Sequence, residues 1–386
     1  MTPLYDYSPA VQMMLTGIAV ALGPLLWLAF RNRGATASRR LQALTVLTLF
    51  LTFDLVLFGA FTRLTDSGLG CPDWPGCYGE AHPVAAREQI AAAEVALPDG
   101  PVTHRKAWIE MVHRYLATGV GVLIIALTIA TWTAWRRARR GGAAAPLPVH
   151  PAWPTFTLFW VCVQGAFGAW TVTLKLFPAI VVMHLAGGVA LLALLAHQAA
   201  RHGLAERGLQ PTAISAAQRA WLWATFIAVS LQVLLGGWVS TNYAVLVCDG
   251  FPTCQGQWWP PMDFRQGFQL WRPLGTLADG QPLDFAALTA IHYVHRLFAY
   301  AVFTMLAAAV WRLWSTTALR RPVRTVAVLA ALQLATGLSN VVLDWPLVAA
   351  VLHTGGAAAL VAALVWTLSS SRPAPETPQR LSSLSA

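Results

Sequence analysis

GAFTRLTDSGLGCPDWPGC (Gly59–Cys77) and GGWVSTNYAVLVCDGFPTC (Gly236–Cys254) are one piece of architecture written twice. Each runs twelve residues from its first glycine to its first cysteine, and six more to the second. The match continues outward. IEMVHRYLATG (Ile109–Gly119) aligns with IHYVHRLFAYA (Ile291–Ala301), and VQGAFG around Gln164 with LQLATG around Gln333. His184 follows Gln164 by 20 residues, and His353 follows Gln333 by the same 20. Self-similarity on this scale organises a chain before any single element is assigned.

The repeated unit lies in a hydrophobic chain. Of 386 residues 56% are hydrophobic and only 11% charged, too apolar for a soluble domain of this length. A bilayer is crossed by about 20 apolar residues in a helix. Nine such stretches occur, at about 10–30, 41–62, 107–133, 154–174, 179–200, 219–240, 287–311, 323–343 and 347–368. The predicted fold is an all-α membrane protein of nine transmembrane helices, one extra N-terminal helix followed by two parallel four-helix repeats. Its parts are the extra helix and loop (1–40), the first repeat (41–200), a linker (201–218), the second repeat (219–368) and a disordered tail (369–386). Both repeats start on the same side, so they are not the inverted pair common in transporters, although parallel pairs occur there too.

The net charge of +10 is distributed as topology, not as a nucleic-acid surface. Seventeen of the 26 basic residues fall in alternate connections and the tail, among them Arg39, Arg40, Arg136, Arg140, Arg320 and Arg321. The opposite loops hold most of the acids. The positive-inside pattern therefore places the N-terminus outside and the C-terminus in the cytoplasm. The first span has no basic residues before it, unlike a cleaved signal peptide. Four of the five cysteines pair up in exterior loops, Cys71 with Cys77 and Cys248 with Cys254. An oxidising exterior favours disulfides there over metal binding, for which no further ligand stands nearby. Cys162 lies alone in a span and reads as packing.

Ionisable groups within a bilayer are costly and usually have a task. His113 and His184, and equivalently His295 and His353, enter their spans a turn or two below the exterior surface. Within each repeat the two sit at similar depth on different helices. That arrangement suits two axial ligands holding one flat haem from opposite faces. A lone membrane histidine is more often a helix-to-helix hydrogen-bonding residue, and it is the fourfold match that favours ligation. Zn or Cu would ask for ligands at closer spacing. The glycines after His184 and His353 are expected to make room for the porphyrin.

Arg114 and Arg296 follow the first histidine of each pair. They could meet haem propionates or act as snorkelling helix-end residues. Glu110 lies on the same helical face as His113, and its counterpart in the second repeat is His292. A carboxylate in one half and an imidazole in the other suggest a reactive pocket beside a redox pocket. Glu110 is thus the candidate catalytic residue, with pairing to Arg114 or Lys106 as the plain alternative. Asp54, mid-span, has no evident partner in the sequence.

TRLTDSGLGCPDWPGC (Thr62–Cys77), EMVHR (Glu110–Arg114), HLAGG (His184–Gly188), IHYVHR (Ile291–Arg296) and HTGG (His353–Gly356) together resemble the haem A synthases of terminal-oxidase assembly, over residues 45 to 368. The resemblance implies oxidation of the C8 methyl of haem O to a formyl group, giving haem A, with oxygen and supplied electrons. It implies that His113 and His184 receive haem O. His295 and His353 would keep a haem b, and Glu110 would be needed for the chemistry. It also implies a bacterial cytoplasmic (inner) membrane, with haem O synthase and cytochrome oxidase assembly factors as partners. The extra first helix and the long exterior loops, with Trp258-Trp259-Pro260-Pro261, depart from the simplest family pattern. Those loops could lie at headgroup depth over the pockets. Without the resemblance, a di-haem b-type electron-transfer subunit or a haem chaperone or transporter would explain the histidines equally well. No nicotinamide or flavin fingerprint names an electron donor. Small-residue helix faces would permit a homo-oligomer.

Overall fold

The structure is a computed structural model that describes residues 7–141 and 147–375. Its helices are α1 (Ser8–Arg31), α2 (Ala37–Leu64), α3 (Arg87–Ala96), α4 (His104–Arg140), α5 (Ala152–Thr173), α6 (Pro178–Glu206), α7 (Ala216–Thr241), α8 (Phe264–Gly267), α9 (Phe285–Leu313), α10 (Arg320–Val342) and α11 (Leu347–Ser369). Among the described residues, nine are long and apolar enough to cross a membrane, all but the short loop helices α3 and α8. The protein is a helical, multi-pass membrane protein.

The ends of these helices follow from local chemistry. Thr36 and Thr103 accept the Arg39 and Lys106 amides, and Ser215 with Gln218 forms a capping box. Inside the spans, hydroxyls of Thr45, Thr48 and Thr52 donate to carbonyls four residues back, which satisfies them in an apolar setting. α4 runs well beyond the predicted 107–133, because Arg136–Arg140 continues the helix after the hydrophobic stretch ends.

α2, α4, α5 and α6 pack as one four-helix unit around Leu44, Val120, Ile124, Leu127, Leu191 and Leu195. α7, α9, α10 and α11 form another, whose core includes Leu222, Leu306, Val326 and Leu364. They meet through α2 against α11 and α6 against α7 and α11. Backbone singularities recur at equivalent places. Asp66 and Tyr243 have positive φ, as do Tyr78 and Gln255, and the helical-hairpin turns carry Lys175-Leu176 and Asp344-Trp345 in the same region. Across the junction Arg63 Nη2 donates to the Ser240 carbonyl at 2.6 Å, and the Tyr243 hydroxyl donates to Asp66 at 2.7 Å. Ser240 and Tyr243 are the counterparts of Arg63 and Asp66, so equivalent positions touch where the halves meet.

The extra helix α1 packs on α4 of the first unit. A Cβ on Gly17 would fall 2.3 Å from the Thr118 side chain, so the close crossing needs glycine there. Met13 reaches the first loop, joining Cys71, Cys77, Ile90 and Met111. The tail is not wholly irregular. Ser371–Pro373 pairs in parallel with Thr212–Ile214 of the linker, and Arg219 donates to the Leu368 and Ser371 carbonyls. That pairing links segments far apart in sequence, so it left no local signal. The rest of the predicted disordered tail, from 376 on, lies outside the described residues.

α3 is tied to the start of α4 by Glu94, which accepts from the His104 amide at 3.1 Å and contacts its ring at 2.8 Å. Those hydrogen bonds hold the Glu94 carboxyl below its ordinary range. A group with a depressed folded pKa stabilises docking above its unfolded value of about 4.3, and loses that contribution as pH falls through the folded value. Relative to its intrinsic rate, amide exchange in α3 is therefore expected to speed up in acid. In Glu94→Gln it should be fast already at neutral pH, without the acid step. A wild-type α3 equally protected on both sides of that range would contradict this.

Candidate haem site

The structure brings each predicted pair of histidines together, within electrostatic reach of one another: His113 on α4 with His184 on α6, and His295 on α9 with His353 on α11. Every ring rests on a glycine of the preceding long helix. A Cβ on Gly59, Gly236 or Gly337 would come 3.0 Å from Cε1 of His113, His295 or His353, and one on Gly168 would come 3.4 Å from Cε1 of His184. Three of these approaches are tighter than ordinary van der Waals contact, so a side chain there would require the ring to shift. The Nδ1 atoms of His113 and His184 are buried without a hydrogen-bond partner among the described residues. Buried polar atoms left unpaired in a native site point to a functional role. Two neighbouring imidazoles on different helices, each backed by a glycine, are residues that could hold a haem iron.

Two of the glycines after the second histidines take up a side chain from a neighbouring helix. A Cβ on Gly187 would fall 1.7 Å from Nε2 of Gln164, and one on Gly356 would fall 2.2 Å from Nε2 of Gln333. Gly187 and Gly356 make room for glutamine amides that cross from the neighbouring helix, while an added Cβ on Gly188 would meet nothing within 4 Å. Gln333 uses its amide to donate to the His353 carbonyl at 3.0 Å.

Glu110 is buried, and both its oxygens are engaged. Oε2 accepts the Cys71 amide at 2.8 Å and Oε1 accepts from Arg114 Nη2. Arg114 Nη1 donates to the Pro75 carbonyl at 3.0 Å and also to that of Gly76. In the second half, His292 Nδ1 lies 2.7 Å from the Ala244 carbonyl, while its Nε2 accepts from Arg296 Nε at 2.9 Å. A ring that donates at one nitrogen and accepts at the other is neutral. Arg296 also donates to the carbonyls of Cys248, Gly250 and Thr253. Both arginines thus hold the cysteine loops down on the histidine helices. The first loop is held by an ion pair, the second by a cation and a neutral imidazole. Lys106 does not join Glu110; its ammonium donates to the Gly100 carbonyl.

Both loops close by disulfides, Cys71–Cys77 and Cys248–Cys254, with Cα atoms 4.9 and 4.6 Å apart. Cys162 is free and exposed. Asp54 is half-buried in mid-span. Trp258, Trp259 and Trp271 project from the second loop with about 70% of their surface exposed, consistent with an interfacial position. Two organising residues escaped the sequence reading. Arg272 is fully buried and donates to Asn242 Oδ1 at 2.5 Å, with burial lowering its pKa. Arg63 bridges the halves, and only its place in the repeated motif could have singled it out.

A helical membrane protein with two pairs of neighbouring, glycine-backed histidines is the class that fold and site define. The family model described as cytochrome oxidase assembly protein matches residues 42–365. The chain is 35% identical over 319 residues to the heme A synthase of Shewanella oneidensis, covering 83% of this chain and 93% of that one. It is 28% identical over 353 residues to that of Rhizorhabdus wittichii, covering 86% and 95%. To that of Caulobacter vibrioides it is 29% identical over 355 residues, covering 82% and 92%. The chain belongs to the cytochrome oxidase assembly protein family.

Proposed function

We propose that this chain is a haem A synthase, a haem-dependent oxidoreductase that converts the C8 methyl of haem O to a formyl group. The observation that carries the reading is the recurrence of one ligand geometry in two chemically different settings. Each half offers a pair of neighbouring histidines, each backed by a glycine. Only the first places a buried carboxylate, Glu110, one turn from a ligand. In this reading His113 and His184 bind and orient haem O, while His295 and His353 hold a haem b. When bound, haem b supplies one-electron transfer toward the substrate, whose oxidation by oxygen needs electrons. Glu110 and Arg114 fix the Cys71–Cys77 loop at the head of the first pocket, which limits water there, and Glu110 is the candidate for handling protons. The loops would face the exterior, with the C-terminus in the cytoplasm of a bacterial inner membrane. Haem O synthase and oxidase assembly factors are the expected partners.

The test is turnover by purified protein given haem O, oxygen and a reductant, with products separated by mass. Wild type is expected to form haem A. His184→Ala should keep haem b and make no product, and His353→Ala should lose haem b and product together. Stable binding of both haems without product would favour an electron carrier or chaperone instead.

A further inference from the structure

Iron bound at Nε2 of a histidine leaves the proton on Nδ1. The group that accepts this N–H sets the ring's orientation and its strength as a ligand. The two halves differ at that atom. Nδ1 of His353 lies 3.0 Å from Thr336 Oγ1. That hydroxyl already donates to the Leu332 carbonyl at 2.8 Å, so toward the ring it is an acceptor. Nδ1 of His295 lies 3.0 Å from the Gln232 amide, whose Oε1 has no other partner among the described residues. The same amide donates to the His295 carbonyl at 3.0 Å, which anchors the Gln232 side chain across the Nδ1 edge of the ring. In the first half, Nδ1 of His113 and of His184 has no such partner. The repeat gives the reason. Leu55 stands where Gln232 stands in the second half, and Phe167 stands where Thr336 does. The Gln164 and Gln333 carbonyls lie near the rings of His184 and His353 alike, so they do not distinguish the halves.

We propose that Gln232 and Thr336 are positioning residues that make the second histidine pair a tight, permanent haem site, while Leu55 and Phe167 leave the first pair able to release its haem. This rests on the reading that the second half retains haem and the first turns it over. A hydrogen bond from Nδ1 gives the imidazole partial imidazolate character, fixes the ring and strengthens its hold on ferric iron. Losing such an outer partner costs about 10–100-fold in metal-site affinity. Identical ligands thereby serve as a permanent mount in one half and as an exchangeable one in the other.

The experiment uses full-length purified protein carrying Thr336→Val or Gln232→Leu, each close in size to the original side chain. Haem loss to an excess of apomyoglobin and the reduction potential of the retained haem are measured. Each variant is expected to lose haem b roughly 10–100-fold faster, and in Thr336→Val the potential should also shift upward because the ferric state loses its stronger donor. Thr336→Ser, which keeps the hydroxyl, should restore both values. Leu55→Gln with Phe167→Thr should make the first-half haem leave more slowly. Unchanged loss rates and potentials in both single variants, with haem b still dependent on His353, would overturn the proposal alone. Haem b content unaffected by His353→Ala would instead overturn the assignment of the retained site, and the proposal with it.

Discussion

Glu110→Ala is expected to reduce haem A formation to background while haem b stays in place at His295 and His353. The carboxylate and its Arg114 partner have side chains only 5% and 8% exposed. Removing one member of such a buried pair strands the other, at about 3–5 kcal/mol. The Cys71 amide loses its acceptor at the same time, so the loop over the first pocket should loosen and admit water. Glu110→Gln separates the two roles. It keeps one acceptor oxygen, which can serve the Cys71 amide or Arg114 but not both, and it removes the charge. A Gln variant with an ordered loop and no product would assign the carboxylate to the chemistry. One with normal product would reduce Glu110 to a loop anchor. Haem mass analysis and protease resistance of the loop read the two effects independently.

The second large effect is expected from the glycines behind the rings. A valine at Gly236 would drive its γ-methyls into the His295 imidazole, whose Cε1 lies 3.0 Å from the position of a Cβ. Overpacking of this kind costs about 1–3 kcal/mol, and here the ring can relieve it only by turning off its ligating axis. Gly236→Val should therefore lose haem b and, with it, all turnover. Gly59→Val displaces His113 in the same way and should keep haem b while abolishing product. A Gly236→Val protein that retained its haem b would show that this ring does not ligate in the orientation seen.

The nine spans and the paired histidines were legible because each leaves a local trace: a long apolar run, or an ionisable residue inside one. The repeat made the histidines specific, since any of the four alone reads as packing. What escaped was non-local. Gly59, Gly168, Gly236 and Gly337 sit in the quoted motifs, yet their task lies on another helix, and the glycines beside His184 and His353 drew attention in their place. Gln164 fills the room at Gly187, a contact no spacing announces. Glu110 was recognised as the asymmetric residue, but its pairing with the Cys71 amide depends on how a 39-residue excursion folds back. The long loops hid α3 and α8 because short amphipathic helices in polar sequence carry little periodic signal. Thr336 was in plain view in LQLATG; its meaning came only from its contact with His353 and the phenylalanine at the equivalent place.

The central claim is that two similar histidine pairs hold two different haems for two different tasks. It is tested most directly by extracting the haem from purified wild-type protein and identifying it by mass. Haem B together with haem O or haem A is the predicted result. Haem B alone, in protein from cells that make haem O, would contradict the account.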